Sequence, residues 1–364
     1  MAVESAAAKR KGRAATGNPR NRFHTAHSEA LDDGRDMGEA QPAERTTLTV
    51  DHSKTVIAYN QSPDVPFDRS LNPYRGCEHG CIYCFARPTH AYLDCSPGLD
   101  FETRLFYKPD AAAVLRGELG ERGYRCAPLA IGANTDAYQP VERRLGITRA
   151  VLEVLAECRH PCALITKSAL IERDIDLLAG LAEHRLVNVM VSVTTLDGGL
   201  ARRMEPRAAA PQRRLETIRR LHAAGIPVGV LVAPLIPVLT DAGLEEILGA
   251  ARDAGASAAG YILLRLPHEV KTLFADWLQA HYPLKAAHVM NAVRGTRGGR
   301  ENDAQFGRRM RGCGAYAELL AGRFRLATRR LGFAGHADLD CTQFRPPQSA
   351  CQPDLFAALP DREG

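Results

Sequence analysis

The chain has 364 residues, 45% apolar and 24% charged, with a formal net charge of +5 and 10 cysteines. That is enough apolar material for one large domain or two ordinary ones, and it excludes a fibrous or wholly disordered chain. No run of about eighteen apolar residues occurs, and the start MAVESAAAKRKGRAATGNPRNRF lacks the apolar core of a secretory signal, so a cytoplasmic protein without a membrane segment is expected. Residues 1–22 carry Lys9, Arg10, Lys11, Arg13, Arg20 and Arg22 against Glu4 alone, which predicts a flexible basic N-terminal tail over 1–50. The cysteine-rich stretch LNPYRGCEHGCIYCFARP follows at Leu71–Pro88. Beyond it, PLAIGAN (128–134), CALITKS (162–168), LVNVMVSVTT (186–195), IPVGVLVAPLI (226–236) and AAGYILLRL (258–266) lack clean polar alternation, as strands covered on both faces do. Helical spacing fills RLGITRAVLEVLAECR, ERDIDLLAGLAEH and PQRRLETIRRLHAAGI, the last stopped by Gly225. With a strand expected just before Cys77, about six strand–helix units lie within 60–285. This predicts an α/β chain with a partial (β/α)6 TIM-type barrel, its chemistry at the C-terminal strand ends. A helical C-terminal extension is expected over 286–345 and an irregular tail over 346–364. Ten arginines between Arg294 and Arg330 face only Glu301, Asp303 and Glu318; contact with nucleic acid and a plain solvated arginine face are both open.

Cys77, Cys81 and Cys84 form C-x3-C-x2-C, and Gly76 and Gly80 let the loop fold tightly enough to bring the sulfurs together. In a reducing compartment such thiols are ligands rather than disulfides. A structural zinc site would show paired C-x2-C knuckles and four ligands. Three soft thiolates suit an iron–sulfur cube with one iron left open. Cys95, eleven residues beyond Cys84 past FARPTHAYL, is the alternative fourth ligand. Cys126, Cys158, Cys162, Cys313, Cys341 and Cys351 lack the spacing of a second cluster and are expected to be structural.

A C-x3-C-x2-C loop with an aromatic residue before its last cysteine, following the first strand of a partial barrel, resembles the radical S-adenosylmethionine (radical SAM) superfamily. NPYRGCEHGCIYCFARPTH, GANTDAYQPVE, ITKS, VSVTTLD and MEPRAAAPQRRLETIRRLHAAGIPVGV resemble the branch related to spore photoproduct lyase, and more closely its uncharacterised bacterial relatives, over roughly residues 60–345. The resemblance implies a 4Fe-4S cluster on the three cysteines, S-adenosyl-L-methionine (SAM) chelated by the open iron, and an electron donor such as flavodoxin or ferredoxin. Reductive cleavage of SAM then gives a 5′-deoxyadenosyl radical that removes hydrogen from a substrate. Asn134 and Thr135 follow the second strand where many members carry a Gly-Gly-Glu motif; this sequence departs from it, and both residues keep hydrogen-bonding capacity there. Asp136 is expected to hold the loop or a cation. Lys167, at the third strand's end, suits the SAM carboxylate, with an ordinary exposed lysine as the alternative. Ser192 and Thr194 share a face of the fourth strand and suit the ribose hydroxyls, or serve packing. Tyr83, by resemblance, lies against the adenine through its loop backbone.

Arg265 closes the sixth strand and is expected near the barrel mouth, meeting an anionic substrate or a neighbouring acid. Glu205 and Arg207 shape the mouth or brace a loop. By the resemblance, Ala133 stands where the lyase carries a cysteine that returns hydrogen to the product radical, so efficient dimer repair is not expected unless another donor, such as Tyr138 or a distant cysteine, replaces it. QPDLF (352–356) resembles the peptides that dock on the bacterial sliding clamp through residues in the positions of Gln352, Leu355 and Phe356; Pro353 departs from that pattern, and Leu355 and Phe356 packed on their own barrel are the alternative. The expected function is a radical SAM enzyme acting on nucleic acid in repair or modification. A cluster-binding redox sensor without turnover, and a radical SAM enzyme for a peptide or small molecule, are the alternatives. The polar residues at the strand ends favour catalysis, because a merely structural cluster needs no SAM pocket.

Overall fold

The apolar runs form strands in a computed structural model that describes residues 12–23 and 45–347. In chain order the strands are β1 (Thr47–Val50), β2 (Ile57–Tyr59), β3 (Arg69–Leu71), β4 (Tyr74–Arg75), β5 (Arg104–Tyr107), β6 (Leu129–Ile131), β7 (Cys162–Thr166), β8 (Val187–Ser192), β9 (Val228–Leu235) and β10 (Ala258–Leu263). The main sheet runs β10-β9-β8-β7-β6-β3-β2, parallel throughout except for the antiparallel edge pair β2–β3. Its two edge strands do not meet, so the six parallel strands make an open, partial barrel. A small sheet, β1-β5-β4, stands beside the cysteine loop.

Burial explains why the strands read as continuous apolar runs. Val187, Val189 and Val191 of β8 are fully buried with Leu152, Leu178 and Ile218 of the covering helices, each contributing about 1.5–3 kcal/mol by removal from water. Between them Asn188 and Met190 are only partly covered and meet the C-terminal segment, Asn188 donating to the carbonyl of Ala337 and the Met190 sulfur lying 3.3 Å from His336 Nε2. The helices Ile147–Glu157, Ile175–Glu183, Pro211–Ala223 and Leu244–Asp253 alternate with the strands. Pro211 takes the first helical position and Gly225 follows the end at φ 76°, as the sequence signals require.

The termini depart from expectation. Within the segment read as a flexible tail, residues 12–23 instead pack under the cysteine loop: Ala14 and Ala15 are buried and their N–H groups donate to the Glu102 carboxylate at 3.2 and 3.0 Å. Asn21 donates to the carbonyls of Ala91 and Cys95, and Thr47–Val50 is a strand. What anchors this apolar-poor stretch is a buried carboxylate far along the chain. The helix Pro283–Gly295 crosses the boundary expected at 285/286 and packs with the helix Val270–His281 in a second core containing Ile82, Tyr83, Met204 and Trp277. The extension therefore backs the cysteine loop. Residues 332–347 cross the N-terminal strand ends, with Phe344 against the rings of Tyr124 and His160 and backbone bonds to Ser257, Arg185 and Cys158. Among the described residues no helix is long and apolar enough to cross a membrane. Cys351 and the clamp-like Gln352, Leu355 and Phe356 lie outside them.

Candidate functional site

The cysteine loop leaves β4 at the C-terminal ends of the barrel strands and is held mainly by its own carbonyls. Arg87 is fully buried; its Nε and Nη2 donate to the carbonyls of Cys81 and Gly80, both at 2.9 Å, and its Nη1 to those of Pro97 and Gly98. Glu102, also fully buried, faces Arg87 at 2.5 Å. Gly80 adopts φ 66°, and a Cβ there would stand 2.7 Å from a Glu102 oxygen; at Gly76, φ 79°, a Cβ would stand 2.8 Å from the His90 ring. Glycine is thus required at both turns. Glu78 N–H donates to Gln139, and Gln139 to the carbonyl of Gly76, tying the loop to the β6 exit.

Cys77, Cys81 and Cys84 line a cavity of about 220 Å³ at the strand ends. Burial raises all three thiols, Cys81 to about 12; Cys77 is pushed further by Asp136 and the other two sulfurs and Cys81 by Glu205 and Cys84, whereas at Cys84 backbone N–H groups and the Arg87 and Lys167 charges oppose the rise. Three such sulfurs in a dry pocket suit a shared polycationic partner that takes them as thiolates. Among the described residues no three His, Cys, Asp or Glu side chains close on a single ion, whereas an iron–sulfur cube spans more widely separated sulfurs. Cys95 is not on this cavity: it is buried and donates its S–H to the carbonyl of Leu93 at 3.3 Å. The residues present fit a three-cysteine cluster with one iron left for a ligand.

The remaining cavity wall separates residues free to bind from residues already committed. Asn134, Lys167 and Ser192 line it, and no other described residue takes a hydrogen bond or ion pair from their side chains; the Lys167 ammonium sits 6.0 Å above the Tyr83 ring. Thr135 is spent elsewhere, donating to the carbonyl of Tyr74 at 2.8 Å. Thr194 lies beyond the end of β8, so strand alternation no longer fixes its direction. It is fully buried and donates to Glu205 at 2.8 Å. Glu205 gathers Thr194, the Tyr83 hydroxyl and the buried Arg214, whose Nη1 also donates to the carbonyl of Ser192 at 3.1 Å. Burial alone would raise Glu205; Arg214, then Lys167, overcome it and hold the carboxyl at about 2. Asp136 accepts from Thr166 Oγ1 and Lys167 N–H, both at 2.7 Å, and lies 3.3 Å from His79 Nδ1. Against its own burial, His79 and these bonds keep it at about 2, so Asp136 holds the loop.

Arg207 pairs with Glu78 at 3.1 Å and braces the cysteine loop. Arg265 reaches the cavity. Ala133 lines it, whereas Tyr138 is fully buried and does not. His79 and Arg214 escaped sequence reading: their roles are set by partners on other loops, and the only local signal, a histidine inside the cysteine loop and an arginine after RMEPRA, is shared with many solvent-facing residues.

The radical SAM superfamily model matches residues 71–251, which contain all three cysteines, Lys167, Ser192 and Glu205. An uncharacterized protein of Mycobacterium tuberculosis is 41% identical over 231 residues, 62% of this chain and 68% of that protein. One of Methanocaldococcus jannaschii is 25% identical over 213 residues, 58% of this chain and 76% of that protein. Among solved structures, spore photoproduct lyase complexed with dinucleoside spore photoproduct superposes with a TM-score of 0.55 at 16% identity, over 78% of this chain and 79% of that one, a likeness of fold. A cysteine loop at the strand ends of a partial barrel, in a chain matched by this family, makes the protein a radical SAM enzyme, a member of the superfamily whose chemistry uses a 4Fe-4S cluster, SAM and an external electron donor.

Proposed function

We propose that Cys77, Cys81 and Cys84 hold the 4Fe-4S cluster, that SAM lies across the strand ends from it, and that nucleic acid is the substrate from which hydrogen is taken. The observation that carries this reading is the division of the cavity's polar residues: the side chains of Asn134, Lys167 and Ser192 give no hydrogen bond or ion pair to another described residue, while their neighbours Thr135 and Thr194 are bonded internally. When bound, the cluster and SAM supply one-electron cleavage of a sulfonium and a hydrogen-abstracting radical. The chain's residues supply placement. Lys167 would give the SAM carboxylate a charge-assisted partner, Asn134 and Ser192 would offer polar contacts to the amino group and ribose, and the Tyr83 backbone would receive the adenine. Thr135 and Thr194 act as positioning residues, fixing the β6 exit and the Glu205–Tyr83 contact. Low-potential electrons come from a donor of the flavodoxin or ferredoxin kind, and Gln352, Leu355 and Phe356 serve to dock the enzyme on a sliding clamp.

Nucleic acid is favoured over a peptide by cations beside the cavity, Lys271 and Arg300, that meet no carboxylate among the described residues. Modification is favoured over dimer reversal because Ala133, not a thiol, lines the cavity. The test is anaerobic SAM cleavage by the reconstituted full chain with single-stranded DNA, RNA or a mixed peptide pool added. Stimulation by nucleic acid alone is expected; stimulation by the peptides alone contradicts the substrate class. Lys167→Ala is expected to weaken SAM binding about tenfold or more in equilibrium dialysis, and unchanged binding removes its role.

A further inference from the structure

A second cavity of about 510 Å³ opens beside the cysteine-lined one, between residues 265–271 after β10 and the loop 300–309. The two share Arg265. Its wall carries four cations, Arg265, Lys271, Arg300 and Arg309, against one carboxylate, Glu301, which is taken by Arg294 at 2.7 Å. Arg309 is neutralised by Asp64 at 2.5 Å. Lys271 and Arg300 are exposed and meet no carboxylate among the described residues.

Arg265 is the unusual member. Among the described residues its buried Nε has no hydrogen-bond partner, and its one polar contact is Nη1 to the Met310 sulfur at 3.5 Å. Burial, then the neighbouring Arg309 and Arg297, lower its pKa to about 10, with Asp64 alone opposing. Arg297 cannot turn away to relieve this crowding, because its guanidinium donates to the carbonyls of Leu263, Leu264, Arg308 and Arg309 and so pins the 308–309 backbone beside the end of β10. A desolvated guanidinium with an unused donor, among like charges, calls for an anion.

Two exposed aromatic rings lie against the guanidinium groups of Arg265 and Arg309. Phe85, 40% exposed, lies under the Arg265 guanidinium at 5.1 Å and also lines the cysteine cavity; Phe306, 54% exposed, lies under Arg309 at 4.6 Å. Cations interleaved with open aromatic faces are the means by which single strands are held, phosphates on the first and bases on the second. An acidic peptide would satisfy the cations but has no use for the two rings.

Resting on the nucleic-acid reading above, we propose that this cavity is a phosphodiester subsite for a single-stranded segment, with Arg265, Lys271 and Arg300 on the phosphates and Phe85 and Phe306 as stacking faces that present the adjoining nucleotide to the cysteine-lined cavity. The test uses the anaerobically reconstituted full chain and fluorescent single-stranded DNA and RNA, with pyrophosphate and poly-glutamate as further probes, across a salt series. The double variant Lys271→Gln/Arg300→Gln alters only surface positions and is checked by its melting curve; Phe306→Ala is the companion variant. The double variant is expected to weaken oligonucleotide binding about tenfold and to reduce the logarithmic salt slope by about 1, with Phe306→Ala weakening binding without changing the slope. Oligonucleotide binding untouched by either variant overturns the subsite and leaves the nucleic-acid reading standing. Pyrophosphate binding lost in the double variant, without oligonucleotide binding by the wild type, keeps the anion site and overturns the nucleic-acid reading. Tighter binding of poly-glutamate than of oligonucleotide, or no binding of any probe, overturns both.

Discussion

Glu205 shows how a single side chain sets the mouth of the barrel. It joins Tyr83 of the cysteine loop to Arg214 of the following helix, and Arg214 in turn holds the last carbonyl of β8. Glu205→Ala leaves Arg214 charged and 1% exposed, so a loss of about 3–5 kcal/mol is expected in urea unfolding, whereas Tyr83→Phe removes one hydrogen bond and costs about 1 kcal/mol. Equal losses from the two would contradict this ranking. Gly80 gives a second contrast. Gly80→Ala forces a side chain onto Glu102 at a positive φ, and is expected to yield folded protein with a large loss of bound iron after reconstitution. Gly117→Ala, at an exposed position of the helix Ala111–Leu119 with nothing within 4 Å of a new Cβ, is expected to raise stability by about 0.5–1 kcal/mol. Gly76 and Gly80 were legible as turn residues within the cysteine motif, and Glu205 as a residue that shapes the mouth or braces a loop. Its partners Tyr83, Thr194 and Arg214 were not, since they come from three separate segments.

Among the elements, the strands and their helices were legible because Val- and Leu-rich runs separated by helical spacing have few other uses, and Pro211 and Gly225 mark a helix at both ends. The packed stretch 12–23 was not, because two alanines and an asparagine carry no periodicity and their anchors, Glu102 and the carbonyls of Ala91 and Cys95, are remote in sequence. The same applies to residues 332–347 at the barrel floor. There His160 is fully buried: its Nδ1–H donates to the carbonyl of Pro161 at 3.0 Å, leaving Nε2 to accept from the Tyr124 hydroxyl at 2.7 Å. Both contacts suit the neutral ring, and burial lowers its pKa to about 4. A histidine lowered on folding binds its proton more readily in the unfolded chain, so its contribution to stability is whole above about pH 6.5 and falls as pH drops toward 4, by about 3 kcal/mol over the window. His160→Gln is expected to flatten the pH dependence of the urea midpoint between pH 7.5 and 5. An unchanged slope would place the acid sensitivity elsewhere.

At the scale of the molecule, the open side of the barrel is the working face. The six parallel strands end at the cysteine loop, the C-terminal helices back that loop from behind, and the basic cavity lies beside it. The ten arginines of 294–330 divide in the structure: Arg297 is a buried clamp, Arg323 pairs with Glu245 at 2.6 Å, and Arg300 remains at the mouth. Composition alone could not separate these roles, because an arginine that ties two elements together and one that awaits a ligand read alike. With Ala133 and, among the described residues, no fourth thiol on the cavity wall, thymine-dimer reversal in a purified assay is expected to be slow relative to SAM consumption; rapid, clean reversal would contradict the proposed modification chemistry. The central claim is that the three-cysteine loop holds a cluster that cleaves SAM. Anaerobic chromatography of the reduced, reconstituted full chain with SAM tests it most directly: 5′-deoxyadenosine is expected from the wild type and is abolished, together with about four irons per chain, by Cys77→Ala, Cys81→Ala or Cys84→Ala but not by Cys95→Ala. A reduced, iron-loaded wild type that yields none, or product and iron that survive loss of those three thiols, would contradict the account.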